Sequence, residues 1–230
     1  MKPVDRPSPN WDSRGDVPVD MLVLHYTGMP SAEAALARMC EPAAKVSAHY
    51  MIDEDGAVYA LVPEEMRAWH AGVSYWAGAR NINACSIGIE LANPGHEFGY
   101  RAFPIAQIAA LTELAAGILA RHPIPAWRVL GHSDVAPMRK DDPGELFPWA
   151  SCAGRGIGLW PTKGDDPGEA KVAALLARFG YDPEAPLEKT VTAFQRHFRP
   201  TRVDGMADAE TRALLAGLIA LYDAQKGDAR

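Results

Sequence analysis

The sequence predicts an α/β domain built on one β-sheet, followed by a small helical domain. Over the first 130 residues, short apolar runs that suit buried strands alternate with stretches of helical periodicity. Residues 137–168 lose this pattern and carry many prolines and glycines, and after residue 169 the apolar residues recur only at helical spacing. With 48% hydrophobic and 23% charged residues, the composition is that of a globular protein and excludes a disordered or fibrous chain.

Four apolar segments predict the strands of the first domain. Residues 19–27 form a short apolar run that suits a buried strand, and residues 86–91 form another. Residues 49–62 predict a hairpin, because an Asp-Gly pair separates two apolar runs. Residues 127–131 predict a last short strand, which leads directly into a histidine.

Two helices are predicted between these strands. Ser31 stands where an N-cap is expected, directly before an alanine-rich amphipathic segment. Residues 104–122 give the clearest helical pattern, with Pro104 in the first turn, where its missing N–H would have no helical partner. The apolar face predicted for this helix consists of Ile105, Ile108, Leu111, Leu114, Ile118 and Leu119.

The chain beyond residue 137 divides into an irregular and a helical part. We interpret the first half of residues 137–168 as a loop of a functional site and the second half as a linker. Three apolar stripes then predict three helices, of which the first is closed by Gly180 and the third is capped by Asp208. The predicted division is a domain of residues 1–160, a linker of residues 161–168 and a three-helix domain of residues 169–230.

Charge and composition exclude several classes of partner. Lys and Arg total 23 against 29 Asp and Glu, a net charge of −6, and no basic block suggests nucleic-acid binding. No stretch reaches the roughly 18 apolar residues of a membrane span. The polar N-terminal residues lack the apolar run of an export signal, so the predicted compartment is the cytoplasm. The alternative is the periplasm or cell envelope, if a signal has been removed; the sequence indicates no oligomeric state.

Two histidines and one carboxylate are candidate metal ligands. His25 closes one predicted strand, His132 follows another, and Asp142 comes ten residues later. Such a three-ligand set would hold zinc and leave a fourth position for water. Either histidine alone would more often be a hydrogen-bonded structural residue. The residues by themselves do not choose among Asp134, Asp141 and Asp142 for the carboxylate.

A series of motifs in residues 19–150 resembles the zinc-dependent N-acetylmuramoyl-L-alanine amidases of the type 2 amidase family. These motifs are LHYT, SAHYMIDEDG, AWHAG, SIGIEL and GHSDVAPMRKDDPG. The resemblance implies a mixed sheet flanked by helices with Zn²⁺ at one edge. It implies hydrolysis of the amide between the lactyl group of N-acetylmuramic acid and L-alanine. Its ligands would be His25, His132 and Asp142, since the family's acid directly precedes a proline.

The same resemblance gives roles to further residues. Glu90 would be the catalytic acid and base, and Lys140 would stabilise the oxyanion. Without the family, a surface carboxylate and a solvated loop charge would be the simpler interpretations of these two. The residues predicted to contact substrate are His70, Arg80 and Asn83. His49 is interpreted as structural, and the histidines interpreted as surface or loop residues are His96, His122 and His197.

Residues 170–222 resemble a three-helix peptidoglycan-binding module, through the pattern FQRHF followed by DGMADAET. The sequence therefore predicts an amidase acting on peptidoglycan or soluble muropeptides, with 1,6-anhydromuramic acid as one form of the sugar. One alternative is a recognition protein that binds muropeptides without cutting them. Another is a wall-anchored scaffold in which the helical module carries the function.

Overall fold

Eight strands and nine α-helices form the part of the chain that this computed structural model describes, residues 2–228. The strands are β1 (Val4–Asp5), β2 (Trp11–Ser13), β3 (Met21–Tyr26), β4 (Tyr50–Ile52), β5 (Val58–Ala60), β6 (Met66–Ala68), β7 (Ser86–Leu91) and β8 (Val129–Gly131). The helices are α1 (Ala32–Cys40), α2 (Ile82–Cys85), α3 (Gly95–Phe98), α4 (Ile105–Arg121), α5 (His132–Val135), α6 (Trp149–Ala153), α7 (Val172–Phe179), α8 (Leu187–Phe198) and α9 (Ala209–Asp228).

Six of the strands form one mixed sheet in the order β1-β5-β4-β7-β3-β8. Strand β3 lies between β7 and the edge strand β8 and pairs in parallel with both, and β4 and β5 form the predicted antiparallel hairpin. In this register His25 lies opposite Glu90, and Leu24 lies opposite Gly131, the residue before His132. Because parallel strands end at the same edge, the sheet itself brings these three polar residues together.

Helix α4 covers one face of the sheet with all of the predicted apolar residues except Ile105. Its buried positions include Gln107, Leu111 and Ile118, whereas Ile105, predicted as core, is 91% exposed. The prediction for Ile105 was wrong because the helix begins at that residue and turns its first apolar side chain to solvent. Gln107 is fully buried because its amide donates hydrogen bonds to the carbonyls of Ile52 and Ala92, each at 3.0 Å.

Glu64 ties the end of α4 to the sheet, and its replacement by glutamine is expected to destabilise the fold. Burial alone would raise its pKa, but hydrogen bonds from Arg121, His122 and Tyr50 lower the pKa to about 2. A lowered carboxylate pKa stabilises the fold above pH 4.5, and this stabilisation disappears as the pH falls toward 2. We expect Glu64→Gln to lower the free energy of unfolding at pH 7, measured in urea, by about 2 kcal/mol. The difference in this free energy between the variant and the unmodified chain should narrow below pH 4.5. The exposed neighbour Glu65→Gln is the control and should change stability by less than about 0.5 kcal/mol; an equal loss in both variants would contradict this role.

The three predicted C-terminal helices are present, and they pack on the first domain. One continuous hydrophobic cluster joins Val23 and Trp76 of the first domain to Phe179 and Leu218 of the helical region. Gly180 ends α7 at φ +147°, and a Cβ atom there would collide with the Trp76 ring. The helical region is therefore held against the α/β domain by shared burial of apolar surface.

The segment predicted as a linker contains no helix or strand, and it lies on helix α9. Lys163 forms an ion pair with Glu210 at 2.6 Å, and Asp166 accepts hydrogen bonds from Arg212. The exact division at residues 161–168 stays a prediction. Among residues 2–228, no helix has both the length and the apolar character needed to cross a lipid bilayer.

Candidate metal centre and active-site cleft

Three buried side chains converge at the edge of the sheet where β3 and β8 end. The Nδ1 atoms of His25 and His132 lie 2.9 Å apart, and Asp142 Oδ2 lies 3.0 and 3.1 Å from them. All three residues are at most 5% exposed. The structure thus brings together the two histidines and selects Asp142 from the three candidate carboxylates, as a group able to hold a metal ion.

The protonation states of this group suit a divalent cation. Burial and the neighbouring His132 lower the pKa of His25 to about 4. Burial would raise the pKa of Asp142, but the two histidines hold it well below its usual range. At neutral pH the site therefore presents a neutral His25 imidazole and an ionised Asp142, which are the forms of these two groups that bind metal.

A chain of buried hydrogen bonds fixes the tautomer of His25. His25 Nε2 lies 3.0 Å from His70 Nδ1, His70 Nε2 lies 3.2 Å from Ser86 Oγ, and Ser86 donates to the Ile82 carbonyl at 2.6 Å. Each donor in this chain has an acceptor when His25 carries its proton on Nε2. The Nδ1 lone pair of His25 then faces Asp142 and is free for a metal.

His132 is oriented in the same way from the other side. Its Nε2–H donates to the Ala71 carbonyl at 3.0 Å, so that its Nδ1 atom is the unprotonated one. Arg139 also donates to the Ala71 carbonyl and to that of Val73, which keeps this turn in place. The AWHAG motif therefore supports both histidine ligands.

Glu90 and Lys140 border the same cleft. Glu90 lies opposite His25 on β7, and within residues 2–228 its buried Oε2 atom has no hydrogen-bond partner. Burial, followed by the charge of Asp142, raises the pKa of Glu90 well above its ordinary value. An unpartnered carboxyl group with a raised pKa beside a metal site can accept and return a proton.

The cleft has a volume of about 410 Å³ and contains two cations that received no role from the sequence, Arg38 and Arg139. Arg38 of α1 lines it together with Lys140, whereas Trp69 and Tyr26 contribute aromatic walls. The signal for Arg38 was weak, because it stands on an ordinary amphipathic helix with no motif around it. Three cations, Arg38, Arg139 and Lys140, suit a ligand that carries carboxylates.

The predicted substrate contacts are placed differently. Asn83 and Arg80 are not among the residues that line this cleft. Asn83 Oδ1 accepts the backbone N–H groups of His70 and Ala71, and Arg80 pairs with Glu184 of the helical region at 3.0 Å. Asn83 thus holds the AWHAG turn, and Arg80 joins the two parts of the chain. His70 does line the cleft, although its ring nitrogens are used by His25 and Ser86.

The remaining histidines follow the sequence analysis except for one. His49 is fully buried and accepts the Gly88 N–H at 2.9 Å, in agreement with a structural role. His96 and His122 are partly exposed. His197, predicted to be a surface residue, is only 2% exposed. The signal was present, since residue 197 shares the helical face of Phe194 and Phe198.

Comparison with known proteins decides the family. The family model described as N-acetylmuramoyl-L-alanine amidase matches residues 15–145, and that of a putative peptidoglycan binding domain matches residues 170–215. The chain belongs to the N-acetylmuramoyl-L-alanine amidase family. The predicted family, enzyme class and fold are therefore confirmed.

Two curated amidases match at the level of sequence. The N-acetylmuramoyl-L-alanine amidase AmiD of Escherichia coli is 40% identical over 233 residues, covering 89% of this chain and 83% of AmiD. The 1,6-anhydro-N-acetylmuramyl-L-alanine amidase AmpD of Citrobacter freundii is 36% identical over 162 residues, covering 63% of this chain and 84% of AmpD. The AmiD alignment is long enough to include the helical region of this amidase.

Solved structures match both parts of the amidase. AmiD of E. coli, in complex with anhydro-N-acetylmuramic acid-L-Ala-D-γ-Glu-L-Lys, has a TM-score of 0.80 at 38% identity and covers 92% of this chain and 93% of that one. AmpDh3 of Pseudomonas aeruginosa, in complex with an anhydromuramic pentapeptide, has a TM-score of 0.82 at 34% identity, with 94% and 95% covered.

Proposed function

We propose that this amidase uses Zn²⁺ held by His25, His132 and Asp142 to cleave muramyl–L-alanine amides in soluble muropeptides. The observation that carries the proposal is the convergence of these three side chains with Glu90, which lies opposite His25 in the sheet and lines the cleft. A recognition protein that only binds would need neither a complete ligand set nor a buried, unpartnered carboxyl group beside it.

The donor set fits zinc of the catalytic type. Two imidazole nitrogens and one carboxylate oxygen leave a fourth coordination position open, as in other zinc hydrolases. Zinc in such a site lowers the pKa of water to about 7 and polarises a carbonyl group. Both ligand histidines have their second nitrogen satisfied by the protein, which is the usual arrangement around catalytic metals.

The side chains of the cleft supply the remaining steps. The oxygen of the attacking water bonds to the lactyl carbonyl carbon, and Glu90 takes a proton from this water. Lys140 stabilises the negative charge that develops on the carbonyl oxygen. As the C–N bond breaks, Glu90 gives the proton to the nitrogen of L-alanine. The products are a lactyl carboxylate on the sugar and a peptide with a free amino terminus.

The direct test is cleavage of two defined substrates. The protein is incubated with a 1,6-anhydromuramyl tripeptide and with the corresponding reducing muramyl tripeptide, and the released peptide is measured by mass spectrometry. The anhydromuramyl peptides bound in the AmiD and AmpDh3 complexes support the anhydro form as the better substrate. Binding of either compound without release of peptide, by protein containing one zinc per chain, would overturn the proposal and favour the recognition alternative.

Removal of the metal should abolish activity and lower stability. A chelator is expected to eliminate peptide release, and one equivalent of Zn²⁺ should restore it. A ligand at 100 times its Kd adds about 2.7 kcal/mol of stability, so the metal should raise Tm by several degrees. Metal content by mass spectrometry and thermal unfolding check this together. Full activity in protein with less than a tenth of a metal ion per chain would contradict it.

Deletion of residues 161–230 would be the simplest test of the scaffold alternative, but its result would be ambiguous. Since Trp76 and Val23 are buried against the helical region, the truncated chain would lose part of the core of the α/β domain. Loss of the biological effect on truncation would therefore not separate a scaffold from an enzyme. His25→Ala in the full chain does separate them, because only the enzyme depends on this residue.

We propose the cytoplasm as the compartment, with soluble fragments as substrates. The three cysteines, Cys40, Cys85 and Cys152, are all free, which suits a reducing environment. Cell fractionation of the full-length protein tests this; its recovery in the envelope fraction would replace the proposal with the periplasm or cell envelope.

A further inference from the structure

A buried carboxylate lies directly behind the metal ligand His132. Asp134, two residues further along α5, is 1% exposed. It accepts hydrogen bonds from the Gly131 N–H at 2.8 Å, the Tyr181 hydroxyl at 2.7 Å and His197 Nδ1 at 2.7 Å. Asp134 thus fixes the backbone at Gly131, where β8 ends and α5 begins with His132.

Two of these three donors come from the helical region. Tyr181 follows α7 and is fully buried, and His197 lies on α8 at 2% exposure. The His197 ring stacks on Trp149 with ring centroids 3.7 Å apart. Burial and the Asp134 charge raise the pKa of Tyr181 well above its ordinary value, so the phenol stays protonated and donates. The helical region therefore reaches through the domain boundary to the turn that carries a metal ligand.

A second contact between the two regions differs from this one. Arg196 of α8 pairs with Asp141, the neighbour of Asp142, at 3.0 Å, but the Asp141 side chain is 54% exposed. Solvent-exposed ion pairs contribute little. The hydrogen bonds to Asp134 are shielded from water and involve a charged acceptor, so they are the stronger constraint.

We infer that Tyr181 and His197 are positioning residues, through which the peptidoglycan-binding-like region sets the metal affinity of the active site. This inference rests on the proposed metal site. The His132 ring is held by the Ala71 carbonyl, and the backbone N–H of the preceding residue, Gly131, is held by Asp134. Loss of a side chain that orients a metal ligand typically weakens metal binding about 10- to 100-fold. The helical region then contributes to catalysis even where no intact wall is bound.

The test compares two buried tyrosines of the helical region. Tyr181→Phe removes only the hydroxyl that contacts Asp134. Tyr222→Phe, also buried, changes the same core without touching Asp134 and is the matched control. Zn²⁺ affinity is measured by competition with a chelator, and ligand geometry by the visible absorption spectrum of the Co²⁺-substituted protein. We expect a Zn²⁺ Kd at least tenfold higher and an altered Co²⁺ spectrum for Tyr181→Phe alone.

A second pair of variants isolates the other hydrogen bond. His197→Asn keeps a donor near the position of Nδ1, whereas His197→Leu removes it, and both lose the ring. Tighter Zn²⁺ binding by the asparagine variant supports the inference. Equal Zn²⁺ affinity within this pair, or a Kd for Tyr181→Phe within twofold of the unmodified chain, overturns it. If the unmodified chain itself binds no Zn²⁺, the proposed function fails instead, so the two failures are distinguishable.

Discussion

Replacing Asp142 by asparagine is expected to reduce amide hydrolysis by about a thousandfold or more, which corresponds to about 4 kcal/mol of lost transition-state stabilisation. The substitution keeps the size of the side chain but removes its negative charge, which the histidine ligands cannot replace. Asp142 Oδ2 lies 3.0 Å from His25 Nδ1 and 3.1 Å from His132 Nδ1. No other carboxylate among residues 2–228 belongs to this group, so none can replace Asp142 without a movement of the loop. Metal content by mass spectrometry should fall together with kcat/KM.

The neighbouring residue provides the control for this variant. Asp141→Asn makes the same chemical change one residue earlier, in a side chain that is 54% exposed and faces Arg196. We expect it to keep one metal ion per chain and activity within a few fold of the unmodified protein. Retention of metal by Asp142→Asn together with its loss in Asp141→Asn would show that the wrong carboxylate has been assigned.

The position of the metal centre could be predicted because the sheet sets it. Apolar runs predicted the strand that contains His25 near its end and the strand that ends at Gly131, and parallel pairing with β7 then brings Glu90 to the same edge. The choice of carboxylate could not be derived from the residues. It depends on tertiary contacts: Asp134 faces the helical region, Asp141 pairs with Arg196 at the surface, and Asp142 lies beside the histidines. Only the resemblance to a family selected Asp142.

Three residues have contacts that the sequence did not predict, and these contacts share one physical cause. Arg80, Asn83 and His197 all owe their environment to contacts between segments far apart in the chain, with Glu184, the AWHAG turn and Asp134 respectively. Local periodicity carries no information about which distant surface a residue will meet. Their polar side chains were therefore assigned to substrate or solvent, whereas the fold uses them to join its parts.

Joining the two regions in this way changes the expected role of the C-terminal helices. A tethering module would be linked through an exposed, flexible segment with few contacts. Here the intervening segment lies on α9, and buried residues of both regions form one cluster. The helical region is thus part of the stability of the amidase, and its hydrogen bonds to Asp134 extend that dependence to the metal ligand.

Replacing Glu90 by glutamine should separate catalysis from metal binding. The metal ligands remain, so metal content is expected to stay at one ion per chain and KM to change little. The loss of the group that accepts and returns the proton should lower kcat by about 10²- to 10⁴-fold. Steady-state kinetics on the anhydromuramyl tripeptide, with metal analysis of the same sample, measure both.

The stability of this variant gives an independent check of the electrostatics. In the metal-free protein the fold raises the pKa of Glu90, so the ionised form destabilises the native state at every pH above the unfolded pKa of about 4.5. A neutral glutamine removes that cost, and the metal-free Glu90→Gln variant should therefore unfold at a higher temperature than the unmodified chain at pH 7. At pH 4 the difference should become small, because both side chains are then neutral in the folded state. The exposed Glu97→Gln is the matched control and should show neither effect.

A Glu90→Gln variant that keeps more than a tenth of kcat would mean that another group carries the proton.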